Sequence, residues 1–137
     1  MPYKIQYHDI ARIQIETAIR LFHEENYICA ITLAKAGEEF LGKHMGEDAA
    51  SKQLLKEMLG KFQDAEKFLN KTANFLKHGN DPDYYKQDVN VKVEAIQYIL
   101  RGVLNYALFA RCLTSLMSEF QNEYSVEAIE TLLQEAG

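Results

Sequence analysis

Tyr27–Met45 (YICAITLAKAGEEFLGKHM) decides the fold, because its apolar residues return every three or four positions and never alternate. Tyr27, Ile31, Ala34, Leu41 and Met45 form one stripe, and Ala30, Leu33, Gly37 and Phe40 line the stripe beside it. A period near 3.6 with so wide an apolar face predicts a helix buried against several neighbours. Asn26 stands where an N-cap belongs, and Gly46-Glu-Asp breaks the pattern at the other end.

The same periodicity extends in both directions. Upstream, Asp9 reads as an N-cap, and Ile10, Ile13, Ala18, Leu21 and Phe22 read as the apolar face of a helix ending near Glu25. Downstream, a short helix is expected from about Ala49 to Leu59. Gly60 leads from it into a longer helix that places Phe62, Ala65, Leu69, Thr72 and Leu76 on one face. Pro82 forbids continuation and pushes Asp81 away from helical angles. The longest helix is expected from about Val89 to Phe120, its apolar set being Val93, Ile96, Leu100, Val103, Leu104, Ala107, Leu108, Leu113, Leu116 and Met117. Ser125 can cap a last helix, Val126 to about Gln134. No stretch alternates as a strand would, so the fold class is all-α. The expected form is an antiparallel up-and-down bundle of four to five helices in a single domain spanning 1–137.

Composition agrees. The chain has 137 residues, 47% of them apolar, with 2 Pro and 7 Gly, which suits a helical domain with a real core. Its net charge of -5 argues against an extended nucleic-acid surface, and no DNA contact is expected. The start, MPYKIQYHDI, has no signal-peptide core, and no run reaches the roughly 18 apolar residues of a membrane span. Cys29 and Cys112 lie in apolar helical stretches without CxxC spacing, so they read as buried, reduced thiols of a cytoplasmic protein.

Two places carry chemistry. Lys67, Lys71, Asn74 and His78 are spaced four, three and four apart, which puts them on one side of a helix, with Lys77 adding charge nearby. Such a stripe can hold a phosphate backbone, and a histidine can move a proton near neutral pH. The plainer reading is a solvated face whose cations sit where the helix dipole favours them. The second place is Glu38, a carboxylate inside the apolar stripe of Tyr27–Met45. A carboxylate buried there should find a partner, such as a Lys or His of the neighbouring helix that it would orient, or shift its pKa. Otherwise Glu38 marks the rim of the buried face.

Other sites find less support. No Glu is followed three residues later by His, which argues against a di-iron bundle. His23-Glu24 lacks the second His of a zinc helix, and the Asp81–Asp83 turn lacks the ligand series of a calcium loop. No metal and no cofactor are expected. His8 and His44 read as surface residues, and Tyr84-Tyr85 can stack on bases or pack a loop or dimer contact.

Ile15–Phe22 (IETAIRLF), Tyr27–Gly42 (YICAITLAKAGEEFLG) and Asn74–Asp83 (NFLKHGNDPD) together resemble the HEPN-domain superfamily, and its small bacterial members above all. The likeness follows the order of helices along the chain, while the specific motifs cover about a third of it. It implies an all-α bundle that forms a homodimer, with RNA, a nucleotide or a partner protein as ligand. It also implies a setting in toxin–antitoxin systems or defence. Active members are metal-independent ribonucleases that pair an Arg with a His. Carried over, the His is His78 and the polar residue after the Arg is Asn74, so the Arg position falls on Ala73. Alanine cannot hold a phosphate, and lysine does not reproduce the planar fork of arginine. The resemblance therefore implies a degenerate site that binds RNA, a nucleotide phosphate or a protein. The alternative is a ribonuclease in which Lys71 replaces the Arg and His78 is the acid–base. Lys67 and Lys77 would then bind phosphate, and Glu38 would join the polar site, as a second-helix Glu often does in such domains.

Overall fold

The computed structural model describes residues 4–45, 75–77, 79 and 90–124, and every regular element among them is helical. In chain order these are α1 (Tyr7–His23), α2 (Tyr27–Met45), α3 (Val91–Ala110) and α4 (Ser115–Glu123). Residues 75–77 are helical as well. The helix expected at Ala49–Leu59, most of the one after Gly60, the Pro82 turn with Tyr84-Tyr85, and the helix expected from Val126 lie outside the described residues.

A helix–turn–helix opens the fold. The Asn26 N–H bonds the Leu21 carbonyl at 2.8 Å and the Glu25 N–H bonds the Phe22 carbonyl at 3.0 Å, which closes α1 with a Schellman motif. Glu25 holds the left-handed position of that motif at φ 62°, where glycine is the usual occupant. Asn26 then caps α2, its Oδ1 accepting from the Cys29 N–H at 3.4 Å. Glu25→Gly is therefore expected to raise stability by about 0.5–1 kcal/mol, read in a urea melt, because a side chain in the left-handed region is strained.

Helices α1 and α2 run antiparallel, and α3 packs against both. Along α2 and α3 the close pairs advance together: the Ala34 carbonyl lies beside Gly102, and one and two turns on, the Glu38 carbonyl and Gly42 both lie beside Asn105. These two helices therefore run in the same direction, with residues 46–90 of the chain between them. All three helices meet at Ile15. A Cβ on Gly37 of α2 would lie 2.8 Å from Ile15 Cγ1, and one on Gly102 of α3 would lie 3.2 Å from the same atom. Ile15 is thus wedged between two glycines that let both neighbouring backbones approach. Around it Ala11, Ala18, Ile19, Ala30, Ile31, Ala34, Leu41, Ile99 and Val103 are sealed from water. Each buried isoleucine contributes about 1.5–3 kcal/mol. At the end of the bundle near the α1–α2 turn, Phe22 sits edge-on to Tyr27, Phe120 and Tyr124 and ties α4 to the α1–α2 pair.

Several expectations need correction. Helix α1 starts at Tyr7 after an extended Gln6, and Asp9 lies in its first turn, where the dipole still favours a carboxylate. Its core face is Ala11, Ile15, Ala18, Ile19 and Phe22, while Ile13 is 43% exposed. The helix is rotated so that a small residue, Ala11, faces the close crossing at Gly37. The long helix expected to reach Phe120 divides in two. Arg111 turns left-handed at φ 58°, its N–H closing α3 on the Ala107 carbonyl at 2.9 Å. Thr114 then caps α4 through Oγ1, which accepts from the Met117 N–H at 3.3 Å. That break leaves Leu108 at the end of α3, 51% exposed instead of in the core. Cys29 and Cys112 are exposed instead of buried, one in the first turn of α2 on its outer side and the other in the α3–α4 turn. Among the described residues no helix is long and apolar enough to cross a membrane.

Candidate functional site: a buried polar cluster between α2 and α3

Glu38 is 3% exposed, on the same face of α2 as Ile31, Ala34 and Leu41. The periodicity that buries those three buries the carboxylate too. Its partner is Arg101 of α3, itself 3% exposed. Arg101 Nη2 donates to Glu38 Oε1 at 2.8 Å and Nε donates to the same oxygen at 3.2 Å. The partner is thus an arginine from a helix remote in sequence, and neither a histidine nor a lysine of the neighbouring helix.

Two further groups complete the cluster. Lys35, one turn before Glu38 on α2, brings Nζ to 3.5 Å from Glu38 Oε2 and 3.5 Å from Glu39 Oε1. Asn105, one turn after Arg101 and fully buried, donates Nδ2 to the Glu38 backbone carbonyl at 3.2 Å. The guanidinium lies 5.0 Å from the ring centroid of Tyr98, where the electron-rich face favours a cation. Gln97 is buried on the same helix.

The pair is satisfied on one oxygen: Glu38 Oε1 takes both Arg101 donors, while Oε2 is buried with Lys35 Nζ 3.5 Å away and no hydrogen bond. A buried carboxylate and guanidinium each lose several kcal/mol of hydration, and only direct pairing with further hydrogen bonds offsets that loss. Here the lost hydration is answered from within the protein, by Arg101 and Lys35 on the carboxylate and by Tyr98 on the guanidinium. A general base has to reach a substrate proton at hydrogen-bond distance. A phosphate-binding arginine has to turn its fork outward. Glu38 and Arg101 turn toward each other.

The remaining site residues fall differently. Lys77 is exposed in the helical segment 75–77. Gly79 ends that helix at φ 60°, its N–H bonding the Phe75 carbonyl at 2.7 Å. The stop leaves Lys77 at the negative end of the helix dipole. Lys67, Lys71, Ala73, Asn74 and His78 lie outside the described residues. A second polar group sits on α1, where Arg12 Nη1 donates to Glu16 Oε1 at 3.0 Å and Nη2 lies 3.6 Å from Asp9. Nearby on α3, burial pushes the Tyr106 phenol above its ordinary range. Among the described residues no group of three or more His, Cys, Asp and Glu could hold a metal ion.

Arg101, Asn105 and Gln97 stand in a stretch whose apolar residues dominate its reading. The signal for two of them is present all the same. Glu94, Tyr98, Arg101 and Asn105 repeat the four-three-four spacing of Lys67, Lys71, Asn74 and His78. A polar stripe of that spacing on an otherwise apolar helix marks a polar seam.

Comparison of the chain with family models, with curated proteins and with solved structures finds no match.

Proposed function

We propose that this chain is a catalytically degenerate HEPN-like helical module that acts by binding a partner protein. The observation that carries this reading is the Glu38–Arg101 pair. The carboxylate that the HEPN resemblance assigns to the polar site is spent on an internal arginine, 2.8 Å away and out of solvent. Two features favour a protein over a nucleic acid. The net charge of -5 gives counterion release little to work with. At the end of α3, Leu108 and Phe109 are 51% and 38% exposed side by side, a pair of apolar side chains suited to a partner surface. A toxin–antitoxin or defence setting rests on the resemblance, homodimer formation on the resemblance and the apolar length of the 91–120 stretch, and a cytoplasmic location on two cysteines without CxxC spacing.

The exposure of Lys77 favours a second reading, binding of RNA or a nucleotide phosphate through Lys67, Lys71, Asn74, Lys77 and His78. Against it, a helix C-terminus presents carbonyl oxygens, which repel a phosphate.

Native purification separates the two. The chain is expected to retain a second protein in stoichiometric amount, and Leu108→Asp or Phe109→Asp is expected to weaken that complex by at least tenfold while the fold melts as before. Retention of RNA in place of protein, lost on Lys77→Glu, would move the assignment to the phosphate reading. A bare chain that holds neither would contradict both.

A further inference from the structure

We draw no further inference here: the strongest candidate, the Glu38 Oε2 oxygen that is buried without a hydrogen-bond donor in the cluster between α2 and α3, belongs to the site already described and has Lys35 Nζ 3.5 Å away, near enough to supply the donor through a small side-chain shift with no ligand present.

Discussion

Arg101→Met is expected to lower the free energy of unfolding by about 3–5 kcal/mol, because it leaves the Glu38 carboxylate buried with its strongest partner removed. Lys35 Nζ stands 3.5 Å from the other oxygen and is held from its own helix, so it offsets only part of the loss. The decisive comparison is the double variant Glu38→Met/Arg101→Met. A buried pair replaced by apolar side chains of similar volume is often neutral or stabilising. The double variant should therefore melt within about 1 kcal/mol of the wild type, giving a large favourable coupling in the cycle. Arg101→Lys should fall between, since a lysine supplies charge without the planar fork that puts Nε and Nη2 on one oxygen. Urea titration of these four proteins together with Glu38→Met, which closes the cycle, reads all of this. A cost below about 1 kcal/mol for Arg101→Met would mean that the guanidinium is not a structural element, and a ligand would then be needed to explain its burial.

The second large effect is expected at the three-helix crossing. In a solvent-facing helix Gly→Ala stabilises by about 1 kcal/mol. At Gly37 the new methyl would sit 2.8 Å from Ile15 Cγ1, closer than such carbons approach. Ile15 has little room to retreat, because the Gly102 backbone of α3 crosses on its other side, so close that a Cβ there would lie 3.2 Å from the same Cγ1. Overpacking of this kind costs about 1–3 kcal/mol, which reverses the sign of the helix-propensity gain. Ile15→Ala alone should cost about 2–5 kcal/mol through the cavity it leaves. Combined, the two changes should cost clearly less than their sum, since the alanine methyl enters the space that the isoleucine vacates. Simple additivity in thermal or urea melts would mean that the helices slide apart at this crossing and that Ile15 is no wedge.

Much of the fold was legible because burial in a helix leaves a period. Ile31, Ala34 and Leu41 lie in the core as their spacing required, and Asn26 caps α2 through the side-chain oxygen that made it a candidate. What escaped was governed by effects without a period. Arg111 ends α3 in the left-handed region although it is not a glycine, so the stop between Ala110 and Ser115 carries no ordinary marker. The face of α1 turned toward Ile15 and Ile19 because the crossing demanded a small residue at Ala11, a choice made by the partner helices. The two cysteines ended on the surface because apolar neighbours in sequence are not neighbours on a helix face.

The candidate site was legible in one half. Glu38 is conspicuous as a charge in an apolar stripe, and burial obliges it to find a cation. Which cation depends on how α3 packs beside α2, a tertiary fact that spacing cannot supply. Arg101 was masked by Ile96, Ile99, Leu100 and Val103 around it, which gave the stretch an apolar reading. The stripe of Lys71, Asn74 and His78 makes a claim about chemistry in solution, that a histidine beside cations could cleave RNA.

That chemistry is tested most directly by incubating the wild type and His78→Ala with mixed single-stranded RNA in EDTA, which silences metal-dependent nucleases, and reading the products on a denaturing gel. A binding module predicts intact RNA with both proteins at high concentration. Cleavage by the wild type that His78→Ala abolishes would contradict the account and make the chain a ribonuclease, with Lys71 or another cation in the place where Ala73 leaves none.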